Sequence, residues 1–376
     1  MRIAIVVNTS WNIFNFRKGL IKAFLERGDE VIAIAPFDKY STELENIGCS
    51  YYPIKIENKG SNPIKDLKLI FNFYKLYKKV KPDIILHFTI KPNIYGTIAA
   101  KMVGIPVINN VSGLGTVFLH ANFTSSIAKL LYKIAFRFPK KVFFQNKEDQ
   151  SVFIENKLVL KDITSILPGS GVDTTVFKPL ISKVKNAEFT FLMVSRLLYD
   201  KGIIEFIEAI KILKSKIKEC KFKFQIVGMI DESANLGVSQ NKVKEWVGAG
   251  LIEYFPFTDG LLPFYYKADC VVLPSYREGT PRSLLEAGAC GIPLISTNVP
   301  GCKDVIIEGG NGFLCKAKDF VSLALAMEKM IRMNEEEYHA YSKMSRSHIV
   351  KNYDENIVIN MYFEAIEKAM LKKDKL

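Results

Sequence analysis

Short, almost unbroken apolar runs punctuate the first half of the chain, at residues 2–8, 30–35, 83–88, 106–111 and 142–145. Apolar runs of this length without alternation are expected of parallel strands covered on both faces. Between them lie stretches with helical spacing of apolar positions, at about 16–27, 64–79, 93–103 and 124–138. Strand and helix thus alternate, which predicts an α/β class and a doubly wound sheet. The pattern breaks at Leu167-Pro-Gly-Ser-Gly-Val-Asp-Thr-Thr-Val-Phe-Lys-Pro179, where glycines and prolines cluster. It then restarts, with strand-like runs at 189–195, 222–227, 252–255, 270–274 and 292–296. Helical stretches fall at about 202–216, 260–267, 281–290 and 318–333.

Two doubly wound domains are therefore expected, residues 1–172 and 173–354. A last helix, about 355–376, follows a polar break at Lys351-Asn-Tyr-Asp354 and is expected to pack back on the first domain. A length of 376 residues suits two ordinary domains. In such sheets ligands bind beyond the carboxyl ends of the strands, so a cleft where two sheets face each other is the expected site.

Composition narrows the class. No segment has the ~18 consecutive apolar residues that a membrane span needs, and the first run reads as a strand rather than a signal peptide; a cytoplasmic protein is expected. Six scattered cysteines with no Cys-x-x-Cys pair predict buried thiols, and the four histidines show no zinc-ligand spacing. No metal site is expected. The net charge of +13 is lopsided: residues 1–180 hold 25 Lys and Arg against 14 Asp and Glu, the remainder 27 against 25. A basic first half points to an anionic partner.

The chemistry concentrates in the second half. In Leu273-Pro-Ser-Tyr-Arg-Glu-Gly-Thr-Pro-Arg-Ser-Leu-Leu-Glu286 a strand ends at Pro274 and a helix is expected to begin near Pro281, with proline in the first helical position. The helix dipole and first-turn amides make an anion site just after Gly279, for which phosphate is the obvious ligand. Glu278 stands at the mouth of this turn, and Glu286, eight residues on, sits where a carboxylate could accept hydrogen bonds from vicinal hydroxyls. Earlier, Phe191-Leu-Met-Val-Ser195 runs into Arg196-Leu-Leu-Tyr-Asp-Lys201-Gly202, which leaves two cations at a strand's carboxyl end. Arginine clamps a diphosphate bidentately, and lysine adds a point charge.

Taken together, the Arg196-x4-Lys201-Gly202 and Glu278-x7-Glu286 elements resemble those of glycosyltransferase family 4, retaining enzymes with the two-domain GT-B fold. Gly171-Val-Asp173…Phe177-x-Pro179 and Gly309-Gly-Asn-Gly-Phe313 add to the likeness. The resemblance implies a nucleotide-sugar donor, most commonly UDP-linked in this branch. Arg196 and Lys201 would neutralise its diphosphate, the backbone amides of Thr280, Arg282 and Ser283 would face its phosphates, Glu278 would contact the transferred sugar, and Glu286 would hold the ribose hydroxyls. It also implies transfer on the face from which the leaving group departs, with no enzyme nucleophile and no metal.

The first half is similar to a bacterial branch of that family that extends glycans on undecaprenyl-diphosphate carriers. The likeness lies in Phe88-Thr-Ile-Lys-Pro-Asn-Ile-Tyr-Gly96 and Ser112-Gly-Leu-Gly115. Ser112 stands where many relatives have a histidine, and an unactivated serine is no base near neutral pH. Asn15, Arg17, His87 and Lys91 are the other acceptor-side candidates, all near strand ends. Basic-aromatic stretches at Ile64–Lys79 and Ile127–Phe138 suit an anionic bilayer surface. A nucleotide-sugar epimerase is the nearest alternative enzyme. A dehydrogenase lacks the early Gly-x-Gly-x-x-Gly, and no nucleic-acid-binding module is present.

Overall fold

Runs such as Ile3-Ala-Ile-Val6 and Val31-Ile-Ala-Ile-Ala35 bury every residue, which only a sheet with helices on both faces allows. The computed structural model of the chain describes residues 1–57, 62–114, 123–180, 188–219, 221–231 and 236–371. It divides into two units, Met1–Ser170 with Glu355–Leu376, and Gly171–Asp354.

The first unit runs β1 (Arg2–Val6), α1 (Ser10–Glu26), β2 (Glu30–Ala35), α2 (Tyr40–Asn46), β3 (Ser50–Pro53), α3 (Pro63–Val80) and β4 (Ile84–Phe88). A π-helical turn at Pro92–Gly96 leads into α4 (Thr97–Val103), then β5 (Val107–Val111), α5 (Phe123–Ala135), β6 (Lys141–Phe144), α6 (Lys147–Glu155) and β7 (Thr164–Ile166). Its strands are all parallel, in the order β3-β2-β1-β4-β5-β6-β7. Alternate strand residues feed two separate cores. Val6, Ile32, Ile85 and Val142 pack under α3, α4 and α5, whereas Ile5, Ala33, Leu86 and Phe143 pack under α1 and α2.

The second unit runs β8 (Phe189–Val194), α7 (Ile203–Lys216), β9 (Phe222–Gly228), α8 (Gln240–Gly248), β10 (Glu253–Pro256), α9 (Leu262–Lys267) and β11 (Cys270–Leu273). It continues through α10 (Arg282–Ala289), β12 (Leu294–Thr297), β13 (Gly312–Cys315), α11 (Phe320–Ile331) and α12 (Glu335–Tyr353). Its parallel order, β10-β9-β8-β11-β12-β13, repeats that of the first unit. The chain then returns: α13 (Glu355–Leu371) lays Val358, Ile359, Tyr362 and Ile366 into the α1 side of the first core.

Several elements differ from the sequence reading. Helix α1 begins at Ser10, not near residue 16, because Thr9 caps it through the Asn12 amide. Lys351–Tyr353 are the last turn of α12 rather than a break. Strands β3, β7 and β13 and helices α2, α6, α8 and α12 were not anticipated. Gly115, Thr116 and Cys220 lie outside the described residues. The five described cysteines are buried and form no disulfide. No described helix is long and apolar enough to cross a membrane.

Candidate active site

In each sheet the strand order reverses direction once, and the second unit does so between β8 and β11. Adjacent strands there send their connections to opposite sides, which leaves a crevice beyond their carboxyl ends. The loops that follow β8 and β11 are Ser195–Gly202 and Pro274–Pro281, the two stretches that carry the candidate donor residues.

These loops are built against each other. Gly202 has φ +73°, and a Cβ there would lie 2.1 Å from the Pro274 carbonyl oxygen, so only glycine fits. The Tyr276 amide donates to the Asp200 carbonyl at 2.8 Å, and the Tyr276 hydroxyl donates to Glu205 at 2.7 Å. The loop after β12 closes the third side: Thr297 donates to the Ser275 carbonyl, and the Glu278 amide donates to Pro300 O at 3.3 Å. Gly301, at φ +80°, passes so close to Gly279 that a Cβ would stand 2.1 Å from its carbonyl oxygen.

Inside this frame, Lys201 Nζ lies 2.5 Å from Glu278 Oε1, and the Ser275 hydroxyl donates to the same oxygen at 2.8 Å. Both partners are largely buried. Residues 77 apart in sequence are thus joined because their strands are neighbours. Arg196 is exposed just beyond the end of β8 and has no ion-pair partner among the described residues; no hydrogen bond or ion pair joins it to Lys201 or Glu278.

A second pair occupies α10. Glu286 is buried, accepts from Arg282 Nε at 3.0 Å on one oxygen and from the Tyr265 hydroxyl at 2.9 Å on the other. Burial pushes its carboxyl above the usual range, against the opposing pull of Arg282 and the two hydrogen bonds. Tyr265, wholly buried in α9, was not anticipated; nothing in Leu262-Pro-Phe-Tyr265 connects it to a glutamate 21 residues away. The helix start also needs correction. Pro281 is the N-cap, with extended backbone, and its carbonyl accepts from both Leu284 and Leu285. Arg282 and Ser283 therefore open the helix, and Gly279 and Thr280 lead into it, all partly exposed. The Gly309–Phe313 motif proves to be a structural turn: Asn311 is buried, accepts from Ile307 N and donates to Val305 O.

The first unit has its own reversal, between β1 and β4. Two acceptor-side candidates are not where an open rim would put them. His87 is wholly buried among Tyr77, Thr97 and Asn109, at 2.8, 3.3 and 3.2 Å, and burial lowers its pKa to about 3. Arg17 is buried too, its guanidinium 4.3 Å over the Phe88 ring and donating to Phe16 O at 2.7 Å. Lys91 is paired with Asp66 at 2.9 Å, whose other oxygen accepts from Tyr95. Asn15 donates to Trp11 O, and Ser112 reaches Asn110 at 3.4 Å; both are partly exposed. Thr89, in the left-handed region at φ +65°, and the buried Asn93 each hold a side-chain oxygen without a hydrogen-bond partner. No group of three metal-ligating side chains occurs among the described residues.

Comparison with known proteins agrees with this architecture. The pattern of the glycosyl transferases group 1 family matches residues 178–348, and that of the glycosyl transferase 4-like family matches residues 2–146. The N,N'-diacetylbacillosaminyl-diphospho-undecaprenol alpha-1,3-N-acetylgalactosaminyltransferase of Campylobacter jejuni is 29% identical, over 98% of this chain and 99% of its own. The UDP-Gal:alpha-D-GlcNAc-diphosphoundecaprenol alpha-1,3-galactosyltransferase of Escherichia coli is 30% identical over 77% of this chain and 76% of its own. The crystal structure of Anabaena Alr3699/HepE in complex with UDP and glucose superposes with a TM-score of 0.80 at 19% identity, covering 98% of this chain and 99% of that one. With its paired parallel sheets and its two family patterns, the chain belongs to the group 1 glycosyltransferases, the retaining family 4 enzymes of GT-B fold.

Proposed function

We propose that this glycosyltransferase moves a sugar, with retention, from a UDP-linked donor to a glycan carried on an undecaprenyl diphosphate, in bacterial surface polysaccharide or glycoprotein glycan assembly. The observation that carries this reading is the Lys201–Glu278 pair beside the entry to α10, at the reversal point of the second sheet. A donor diphosphate arriving there competes with Glu278 for Lys201. Arg196, unpaired at the adjacent strand end, supplies a second cation, and the turn from Gly279 and Thr280 into Arg282 and Ser283 supplies amides. The released Glu278 carboxylate takes hydroxyls of the transferred sugar, while Glu286 takes those of the ribose.

As the bond from the anomeric carbon to the diphosphate breaks, charge grows on the leaving oxygen. Fixed cations and amides there stabilise the transition state more than the ground state. The acceptor hydroxyl bonds to the same face, and its proton passes to the departing diphosphate, so neither an enzyme nucleophile nor a metal takes part. The names of the Campylobacter and Escherichia relatives support a diphospho-undecaprenol acceptor, and UDP in the Anabaena structure supports the donor base. Asn15 and Ser112 remain candidates on the acceptor side. The acceptor's lipid places the enzyme peripherally on an anionic inner membrane surface, reached through the basic first unit.

Replacement of Lys201 or Glu278 by alanine tests this. Loss of one contact to a developing charge costs about 2.7–4 kcal/mol, so kcat/KM should fall about a hundredfold to a thousandfold with the circular-dichroism spectrum unchanged. Wild-type turnover in both variants would refute the site.

A further inference from the structure

Buried polar groups are nearly always hydrogen-bonded, so the exceptions mark places built for something else. Beyond the carboxyl ends of β4 and β5 the polar groups are closely matched. His87 meets Tyr77, Thr97 and Asn109, and the Asn109 amide donates on to Thr97 Oγ1 at 2.9 Å and to the Asn93 carbonyl at 3.3 Å. Asn93 Nδ2 donates to the Asn110 carbonyl at 2.8 Å, and Lys91 and Tyr95 share Asp66. Two oxygens stand apart from this network. Asn93 Oδ1 and Thr89 Oγ1 are both enclosed, and neither has a hydrogen-bond partner among the described residues. Asn93 is only 1% exposed, so its oxygen has given up water without a replacement.

The backbone around them is strained as well. Thr89 adopts φ +65°, a region that a β-branched residue avoids, and Pro92–Gly96 winds as a π-helical turn. The surroundings enforce both: the Asn93 amide donates to Thr89 O at 3.0 Å, and a Cβ on Gly96 would lie 2.6 Å from His87 Nε2. Enforced strain of this kind gathers at ligand sites. The place is also where a ligand is expected, because the first sheet reverses between β1 and β4. The loop after β1 adds a third case: Asn12 Oδ1, in the first turn of α1, is enclosed and partnerless among the described residues too.

The chemistry of these atoms limits what can complete them. An asparagine Oδ1 only accepts, and the Asn93 amide nitrogen is already spent on Asn110. The oxygens therefore call for O–H or N–H donors. The cations beside them are occupied, Lys91 by Asp66 and Arg17 over the Phe88 ring, so an anionic group would meet carbonyl oxygens of its own sign. Asn12 and Thr89 are partly exposed, and rotation about one side-chain torsion turns either oxygen outward. We propose that Thr89 and Asn93, with Asn12 of the neighbouring loop, form the subsite that grips the acceptor's sugar ring through its hydroxyl and amide N–H donors. The same residues set a preference for a neutral acceptor sugar over a uronic acid. The proposal rests on the reading that the acceptor is a glycan and narrows it to these residues and this class of sugar.

The test measures acceptor KM, and acceptor Kd by calorimetry, for the full-length chain. The probes are a panel of neutral acetamido sugars on a polyprenyl diphosphate and their uronic acid counterparts on the same lipid. Wild type should favour a neutral probe by about a hundredfold or more in kcat/KM. Thr89→Val keeps the branched shape and removes the hydroxyl. Its Tm should equal or exceed that of wild type, because the lost group had no partner. Its acceptor KM and Kd should nevertheless rise about tenfold or more, with UDP affinity unchanged, since Lys201 and Glu278 belong to the other unit. Thr89→Ser, which keeps a hydroxyl, should restore acceptor KM to within about threefold of wild type. Asn93→Leu should weaken acceptor binding likewise; if it fails to fold, the two Thr89 variants decide. Wild-type acceptor affinity in Thr89→Val would overturn the proposal and leave an ordered water as the partner of these oxygens. Equal use of neutral and acidic probes, or Thr89→Ser as impaired as Thr89→Val, would overturn it too. A wild type that binds a neutral probe through Thr89 yet transfers nothing to it would instead overturn the functional reading and leave the subsite standing. Normal transfer untouched by Thr89→Val would do the reverse, and neither binding nor transfer would end both.

Discussion

Removing the Tyr265 hydroxyl takes away one of the two anchors of the Glu286 carboxylate and nothing else of size. Tyr265 is wholly buried in α9, so phenylalanine fills the same space and the loss is confined to the 2.9 Å hydrogen bond. A hydrogen bond to a charged group contributes about 1.5–3 kcal/mol. For a unit of this size a loss of about 2 kcal/mol lowers Tm by about 4–8 °C. The sign with pH follows from Glu286 itself. Its carboxyl is held above the usual range by burial, and the Tyr265 bond works against that rise, so Tyr265→Phe raises it further. A group whose pKa is raised by folding costs stability as pH climbs through that raised value. The penalty of Tyr265→Phe should therefore be largest at alkaline pH and shrink as pH falls toward the ordinary carboxylate range. If Glu286 holds the donor ribose, the donor KM should also rise about tenfold, the equivalent of about 1.4 kcal/mol. The acid-side weakening of donor binding should set in at higher pH, with kcat little changed, since the ribose is remote from the bond that breaks. Steady-state donor titrations across pH, with calorimetry of UDP binding, read both effects. A lowered Tm with an unaltered KM at every pH would reduce Tyr265 to a packing residue and remove the ribose role from Glu286.

Three further outcomes are expected. His87 is held neutral, with a pKa near 3 against an unfolded value of ~6.5, so the unfolded chain binds the extra proton and stability falls as pH drops below ~6.5; about 2 kcal/mol should be lost by about pH 5. Urea midpoints should follow this slope in wild type and flatten in His87→Gln, and an unchanged slope in the variant would count against it. Gly202→Ala should cost more than about 1 kcal/mol and abolish donor binding, because its Cβ collides with the Pro274 carbonyl; normal UDP affinity would show the two loops to be independent. Turnover should persist in excess EDTA, and its loss, restored by a divalent ion, would refute the metal-free mechanism.

How much of this was legible in the chain depended on how local each signal is. Long apolar runs such as Val31–Ala35 announced parallel strands, because burial on both faces leaves no polar alternation. Ser50–Pro53, Thr164–Ile166 and Gly312–Cys315 did not, being edge strands of only three or four residues, the first two of mixed polarity. Helix α12 buries only Ser345, Ile349 and Tyr353, too sparse a stripe to stand out, although its capping box at Asn334 and Glu337 was readable. The two donor loops were visible as strand ends followed by glycine. That Lys201 meets Glu278 follows from β8 lying next to β11, a long-range fact. His87 and Arg17 show the complementary limit. Proximity to a strand end says nothing of the face, and His87 shares its parity with Ile85, whose side faces α3 and α4. Likewise Thr89 and Asn93 could be read as part of a motif, but not the left-handed backbone of one or the unsatisfied oxygen of the other.

The return of α13 to the first unit bears on the order in which the protein is made. Residues 355–371 leave the ribosome only after the whole of Gly171–Asp354, yet the Tyr362 hydroxyl accepts from Asn110 Nδ2 at 2.9 Å and Tyr362, with Val358 and Ile366, seals the α1 side of the first core. Until α13 emerges, that core stands open, whereas Gly171–Asp354 has all its own strands and helices beforehand. The nascent chain must therefore keep an unfinished N-terminal half soluble while the later-made unit reaches its fold.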